Sequence, residues 1–102
     1  MKEKEADRTP AEPPEYQLRL FVTGATPNSV RAVTNLRTLC EAHLKGRYVL
    51  EVIDVYQDAA LAQQEQLVAL PLLVKKRPLP ERKLIGDLSK TEKVMEALGL
   101  TM

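Results

Sequence analysis

Hydrophobic residues recur along this chain with two different spacings. From Tyr16 to Thr23, the residues Leu18, Leu20 and Val22 stand two positions apart, which predicts a strand with one well-buried face. The segment from Arg47 to Val55 is apolar or β-branched at nearly every position, which is typical of a strand covered on both faces.

Between these two segments the apolar spacing changes to that of a helix. Thr26 suits the helix N-cap, Pro27 suits the first helical position, and Gly46 suits the left-handed residue after the last turn. We therefore predict a helix from Pro27 to Lys45 and, with its flanking strands, a right-handed parallel crossover. Six residues at steps of three and four form its predicted apolar stripe: Val30, Val33, Leu36, Leu39, Cys40 and Leu44.

The elements of the second half are shorter. Asp58 can cap a helix through Gln66, and strands are predicted at Leu70 to Val74 and at Lys83 to Gly86. Ser89 and Glu92 have the spacing of a capping box ahead of a final helix, whose apolar residues are Val94, Met95 and Leu98. The predicted order is βαβαββα, an α/β domain with the thioredoxin arrangement.

Composition divides the 102 residues into a tail and one domain. Residues 1–15 hold eight charged side chains and three prolines, so we predict a flexible tail there and a single domain over residues 16–102. The net charge of +1 provides no general attraction to nucleic acid or to a membrane surface. The sequence also lacks an apolar run of the roughly 18 residues that a membrane span needs and an apolar signal core.

The candidate chemical groups indicate binding rather than catalysis. A redox thioredoxin places two cysteines within the segment that is Gly24 to Ser29 in this chain, and the only cysteine, Cys40, lies on the predicted apolar stripe. A lone cysteine forms no internal disulfide, which favours a cytoplasmic location. The only histidine, His43, is predicted to face solvent, and Ser29 is explained by the helix start. We therefore predict no catalytic site, no cofactor and no metal.

The most charged stretch, from Lys75 to Lys83, holds five basic residues and one acidic residue. Three interpretations stay open: a solvated hairpin, a contact with an acidic protein partner, or a contact with RNA phosphates. The last is the least favoured because the stretch has no aromatic residue to stack on bases.

Four stretches together carry a specific resemblance. They are Phe-Val-Thr-Gly-Ala-Thr-Pro-Asn-Ser-Val-Arg-Ala from Phe21, Val-Ile-Asp-Val from Val52, Ala-Leu-Pro from Ala69, and Leu-Ile-Gly-Asp-Leu-Ser from Leu84. Over residues 16–98 the chain resembles the KaiB family of circadian-clock proteins.

The resemblance implies a non-enzymatic regulator that binds the N-terminal ATPase ring of a KaiC-type protein, in circadian timing or in a related timing or stress-signalling system. It also implies two folds, a thioredoxin-like monomer that binds partners and an alternative, fold-switched form that is tetrameric. A rival hypothesis is a thioredoxin-fold adaptor or sensor that binds another signalling protein, such as a histidine kinase.

The family binds the ring through the helix that corresponds to residues 56–66. Five residues are therefore the predicted contacts: Gln57, Asp58, Leu61, Ala62 and Glu65. The alternative is that Leu61 and Ala62 only seat the helix on the sheet. Tyr48 and Leu50, on the edge of the second strand, are candidates for strand contacts with a further clock or signalling protein.

Three residues bear on the choice between the two folds. The resemblance implies a cis peptide bond before Pro71 in the thioredoxin-like form, although an edge-strand start would also accommodate a trans proline. Ala97 stands where the family's glycine aligns, and Gly99 is placed to end the last helix. Both features lead us to expect that this chain favours the thioredoxin-like form.

Overall fold

The structure is a computed structural model and describes residues 14–64 and 69–100. In this part of the chain the elements follow one another in the predicted order: β1 (Tyr16–Val22), α1 (Pro27–His43), β2 (Tyr48–Asp54), α2 (Ala59–Gln64), β3 (Leu72–Arg77), β4 (Arg82–Ile85) and α3 (Thr91–Leu98). Residues 1–13 of the predicted tail lie outside the described residues. Of the tail's last two residues, Glu15 lies 3.6 Å from the guanidinium of Arg47.

The four strands form one sheet in the order β2-β1-β3-β4. β1 runs parallel to β2 and antiparallel to β3, and β4 returns antiparallel to β3. Leu18 of β1 lies opposite Leu50 of β2 on one side and Lys75 of β3 on the other. This arrangement confirms the thioredoxin-like α/β fold.

The larger core lies between the sheet and the two longer helices, α1 and α3. Its fully buried members include Leu18 and Leu20 from β1, Leu36 from α1 and Val94 and Leu98 from α3. Burying a side chain of this size stabilises the fold by about 1.5–3 kcal/mol. This helix side of the sheet therefore carries most of the apolar burial.

The other side of the sheet has a smaller core under α2. Phe21, Ile53, Leu72 and Val74 are buried there, and half-buried Leu61 packs on them. Farther along the same face an exposed ion pair joins Arg19 Nε and Glu51 Oε1 at 3.0 Å. We call this the α2 side of the sheet.

The prediction that β2 is covered on both faces is wrong. β2 is an edge strand, so Glu51 is exposed and Val52 keeps 39% of its surface accessible. The near-continuous apolar pattern suggested a central strand, but β3 pairs with the far side of β1, so among the described strands β2 has β1 as its single neighbour.

The start of α1 is as predicted, but its buried face is rotated at the first turn. Thr26 is the N-cap, and its hydroxyl accepts a hydrogen bond from the Ser29 amide. Val30, expected on the buried stripe, is 51% exposed, whereas Ser29 and Ala32 are buried. The hydroxyl of Ser29 accepts a bond from the Thr23 amide just after β1, so the buried face of the first turn is centred on Ser29 and Ala32 rather than on Val30.

Other boundaries differ by a few residues. α1 ends at His43, two residues before the predicted end. The strand predicted from Leu70 to Val74 begins at Leu72 and continues to Arg77. The predicted helix through Gln66 is described only to Gln64, because residues 65–68 lie outside the described residues.

The predicted capping box of α3 does not form. The N-cap is Lys90, without a side-chain hydrogen bond, and the Ser89 amide instead donates to Asp87 Oδ1. Asp87 also accepts a bond from Arg31 of α1. These bonds from Ser89 and then Arg31 lower the pKa of the Asp87 carboxyl.

Candidate partner-binding site

Asp54, at the end of β2, organises the turn that leads into α2. Its carbonyl oxygen accepts bonds from the amides of Gln57 and Asp58, each at 2.9 Å. Its carboxylate accepts a bond from the Tyr56 amide, also at 2.9 Å, and Val55 donates to Val22 of β1. The turn is therefore fixed before any partner arrives.

Asp58, which follows this turn, caps α2 as predicted. Its Oδ1 accepts a bond from the Leu61 amide at 3.3 Å. Gln57 and Asp58 are exposed, whereas Leu61 is half-buried against the smaller core. The interpretation that Leu61 seats the helix on the sheet thus holds for the free chain.

Two of the predicted contact residues lie wholly or partly outside the described part of the chain. Ala62 belongs to α2, but its side chain is not among those described. Glu65 lies outside the described residues. The described part of the site therefore consists of the turn and the first half of α2.

Tyr56 was not among the predicted contact residues. Its side chain is 78% exposed, more than any other large hydrophobic side chain in the described ranges. A lone aromatic residue between a strand and a capped helix was the available signal in the sequence. Exposed tyrosines on fixed turns are common anchors of protein interfaces.

The outer edge of β2 is a second surface. Tyr16 donates its amide hydrogen to Arg47, and Val55 donates to Val22. In a parallel ladder, alternate residues bond to the same neighbour, so the odd-numbered residues from 47 to 55 face β1. The backbone groups of Tyr48, Leu50 and Val52 consequently point away from the sheet.

The side chains of the two predicted strand-contact residues are largely occupied within the fold. Leu50 is buried, and the half-buried Tyr48 donates its hydroxyl to Glu41 at 2.6 Å. Burial and the Glu41 carboxylate raise the pKa of Tyr48 well above its usual range. These residues therefore offer a partner their backbone rather than their side chains.

Where a redox thioredoxin holds its cysteines, this chain holds a network of hydroxyl groups. Ser29 is buried, and its Oγ accepts bonds from the Thr23 amide at 3.1 Å and from the Thr26 hydroxyl at 2.8 Å. Ser29 thus ties the end of β1 to the first turn of α1. This geometry agrees with the prediction that Ser29 has a structural role.

Cys40 lies in the larger core, as predicted. It is completely buried, and this burial, with a smaller contribution from Glu41, raises the pKa of its thiol from 9.0 to about 12. The thiol stays protonated at neutral pH, so it is a poor nucleophile. His43 is exposed, also as predicted.

The structure gives the three residues tied to fold choice defined positions. The bond between Leu70 and Pro71 is cis, as the resemblance implied. Ala97 lies in the last turn of α3, and Gly99 ends that helix in the left-handed conformation with φ 76°. The role of the three residues in fold choice stays a prediction.

The described ranges hold no group of three or more His, Cys, Asp or Glu side chains arranged to bind a metal ion. In the same ranges, every helix is too short or too polar to cross a membrane.

The sequence of this chain is similar to those of known proteins. The family model described as the KaiB domain matches residues 19–100. The circadian clock oscillator protein KaiB of Picosynechococcus sp. is 51% identical over 85 residues, which cover 83% of this chain and 82% of that protein. The chain belongs to the KaiB family. The suspected resemblance is therefore confirmed.

Solved structures agree with this assignment to the KaiB family. The N-terminal domain of SasA from Synechococcus elongatus is similar, with a TM-score of 0.69, 26% identity and 92% of each chain covered. The thioredoxin Deadhead of Drosophila melanogaster has a TM-score of 0.70 at 15% identity, covering 99% of this chain and 90% of that one. At that identity the likeness shows the fold alone, and this KaiB-family chain lacks the paired cysteines of a redox thioredoxin.

Proposed function

We propose that this KaiB-family protein is a non-enzymatic regulator that binds the N-terminal ATPase ring of a KaiC-type protein, in circadian timing or a related signalling system. The observation that supports it most strongly is the match to the KaiB family over residues 19–100. A cytoplasmic location and a monomeric binding form are parts of the same proposal.

The turn and α2 together supply the proposed ring contact. Tyr56 offers apolar surface, while Gln57 and Asp58 are exposed polar groups that fix its register. Because Asp54 already holds the turn, binding costs little ordering entropy there. Leu61 supports the surface from beneath, and Ala62 and Glu65 complete the proposed contact.

The proposal is tested by gel filtration with a KaiC-type hexamer and nucleotide. The chain should move into the ring fraction, and it should do so with the isolated N-terminal half of the ring. Ala60→Lys places bulk and charge on the exposed side of α2 and should abolish the shift. Ala42→Lys makes the same change on the exposed side of α1 and should leave it intact.

Two outcomes would overturn this assignment. One is failure of the unmodified chain to enter the ring fraction with any nucleotide. The other is equal loss of binding with both lysine variants, because the contact would then not be centred on α2. Circular dichroism of each variant verifies that the fold is retained.

A further partner is proposed for the edge of β2. The outward backbone groups of Tyr48 and Leu50 can bond to an added strand, in the manner of β-augmentation. Replacing Leu50 with N-methylated leucine by chemical ligation removes one donor without removing the side chain. Unchanged capture of the second partner by this protein would contradict strand pairing there.

A second candidate is a thioredoxin-fold adaptor that binds another signalling protein such as a histidine kinase, a role that the fold shared with the N-terminal domain of SasA would also allow. The same gel-filtration experiment separates the two. An adaptor of this kind would leave the ring fraction empty while co-eluting with its own kinase.

A further inference from the structure

The helix α2 covers only part of the α2 side of the sheet. It packs on the smaller core of Phe21, Ile53, Leu72 and Val74. Next to this core, at the start of β1, the sheet face has a groove of about 480 Å³, which we call the α2-side groove. Its volume falls within the range of ligand-binding clefts. The residues that line it include Gln17, Arg19, Val49, Lys76, Arg77 and Leu79.

A bulge in β3 brings two successive cations to this groove. The pairing of β1 with β3 shifts between Gln17 and Leu18, and Lys76 is the extra residue of β3 at that point. Because Leu18 belongs to the larger core on the helix side, its neighbour Gln17 lies on the α2 side, opposite Arg77. As a result, Lys76 and Arg77 both line the groove.

Arg77 is the cation of this groove whose charge is not balanced by a described carboxylate. Arg19 Nε lies 3.0 Å from Glu51 Oε1, and Lys76 Nζ lies 3.8 Å from Glu81 Oε2. Arg77 is exposed, and across residues 14–64 and 69–100 no carboxylate forms an ion pair with it. The described lining residues thus comprise three cations and two carboxylates, which favours an occupant that brings a further carboxylate.

The chain enters the domain beside the α2-side groove. Pro14, the first residue that the structure describes, is one of the lining residues. Two contacts hold the next residues: Glu15 pairs with the Arg47 guanidinium at 3.6 Å, and the Tyr16 amide donates to the Arg47 carbonyl oxygen at 2.9 Å. The chain also bends at Glu15, so Pro14 leaves the line of β1. The segment that precedes Pro14 in the sequence therefore starts from the groove.

The sequence just before Pro14 suits the groove in charge and in stiffness. Glu12 provides a carboxylate two residues before Pro14, about 6 Å away along an extended chain. Pro10, Pro13 and Pro14 each have a fixed φ, and a residue that precedes a proline prefers an extended backbone. Such a segment loses little conformational entropy when it is held in one place.

We propose that residues 10–13 occupy the α2-side groove, with the carboxylate of Glu12 paired with Arg77. Leu79, which is 67% exposed, and half-buried Val49 offer apolar contacts to the proline rings. A tethered segment has an effective concentration in the millimolar range, so contacts that are weak between separate molecules are enough to fill the groove. The predicted flexible tail is then limited to residues 1–9, and an acidic segment of another protein must displace residues 10–13 to reach this face.

Paramagnetic relaxation in the full chain tests this contact. A nitroxide label is attached to the Ala11→Cys variant, in which the buried Cys40 thiol stays unlabelled. The label should broaden the amide resonances of Gln17 and Val49 more strongly than that of Arg37, an exposed residue of α1.

Neutral variants identify the ion pair that holds the segment. Glu12→Gln and Arg77→Gln should each lower the ratio of docked to undocked chain by about two- to fivefold, seen as weaker broadening in the groove. Two matched controls are Glu3→Gln, the same change farther from the groove in sequence, and Lys93→Gln, on the exposed face of α3. Each control should change that ratio by less than about 1.5-fold.

Two results would overturn the proposal. Broadening of the Arg37 amide equal to that of the Gln17 and Val49 amides would show that the segment has no preferred position. Unchanged broadening in both Glu12→Gln and Arg77→Gln would show that this ion pair does not hold it. Circular dichroism of each variant verifies that the fold is retained.

Two further measurements distinguish other occupants. In a mixture of labelled chain and unlabelled, ¹⁵N-enriched chain, broadening as strong as that within one chain would assign the groove to a second copy instead. A free peptide of residues 8–14 should shift the Gln17 and Val49 amides more in Glu12→Gln than in the unmodified chain, because the groove is then open. Equal shifts in both would leave the groove to a separate acidic partner and would contradict the proposal. No ring protein is needed, so the result does not depend on the proposed KaiC interaction.

Discussion

Substituting Gly99 with alanine should shift the balance between the two folds implied for this family. Gly99 ends α3 with φ 76°, a conformation that costs an L-residue about 1 kcal/mol or slightly more. A Cβ atom at this position would meet nothing within 4 Å, so the cost comes from the backbone alone. An energy of 1 kcal/mol corresponds to about a fivefold change in a population ratio.

The matched control for this change is Gly46→Ala. Gly46 follows α1 with φ 79°, and a Cβ there also meets nothing within 4 Å, so the backbone cost is similar. The resemblance implies that the segment after Ser89 is helical in the thioredoxin-like form and a strand in the alternative form. Gly46 lies far before that segment, so this variant should lower stability without favouring the alternative form. Gly99→Ala should raise the ratio of alternative to thioredoxin-like form about fivefold.

Backbone NMR shifts of residues 91–98 and light-scattering mass report this ratio directly. With Gly99→Ala, helical shifts should lose intensity as strand shifts and a tetrameric mass appear. If both glycine variants only lower the melting temperature equally, with helical shifts and monomeric mass retained, then the end of α3 does not control the choice of fold.

Three further predictions test the core and the candidate site. Leu36→Ala removes a completely buried side chain and should lower the free energy of unfolding by about 2–5 kcal/mol in a urea titration, whereas Leu79→Ala, at the exposed tip, should change it little. Asp58→Ala should destabilise α2 by about 1 kcal/mol, seen as faster amide exchange there, whereas Asp58→Asn should preserve the cap; equal exchange in both would show that the cap is unimportant. The Cys40 thiol should resist iodoacetamide in the folded protein and react after unfolding. Folding raises the pKa of the Cys40 thiol from 9.0 to about 12, so the contribution of this group to the free energy of unfolding is complete below pH 9.0 and is lost as pH rises toward 12. Cys40→Ala should flatten this pH dependence of the free energy of unfolding. Equal pH profiles for the variant and the unmodified chain would refute the reasoning.

Elements with a local chemical signal were predictable from the sequence. The hydroxyl of Thr26, the fixed backbone of Pro27 and the carboxylate of Asp58 each act within a few residues, and each performs its predicted role. Gly99 likewise ends α3 in the left-handed conformation, as its position in the sequence predicted. Local backbone physics therefore gave correct starting points for α1 and α2.

Features that depend on distant parts of the chain were not predictable in this way. Val52 is exposed because β3 pairs with the opposite side of β1, and no local pattern records that pairing. Val30 is exposed because the buried face of the first turn is centred on Ser29 and Ala32, and Ser29 bonds to Thr23 across the β1–α1 connection. The failed capping box has a similar origin, since Asp87 takes the Ser89 amide while it pairs with Arg31, 56 positions away.

The candidate site depends both on local signals in the sequence and on contacts between distant parts of the chain. The resemblance predicted Gln57 and Asp58 as contacts at the start of a helix, and in the structure both are exposed in the turn before α2. The half-buried state of Leu61 and the exposure of Tyr56 depend on how α2 lies on the sheet. That packing requires the buried residues of β1, β2 and β3, which come from well-separated parts of the chain.

Asp54 belongs to both candidate surfaces at once. Its carboxylate and carbonyl hold the turn before α2, while its backbone continues the outer edge of β2. If binding at α2 changes the affinity of the β2 edge through Asp54, then binding at the edge must change the affinity at α2 by the same factor, because thermodynamic linkage is reciprocal. Asp54 is thus the residue at which a coupling between the two proposed surfaces would be sought, by comparing each binding event in the presence and absence of the other.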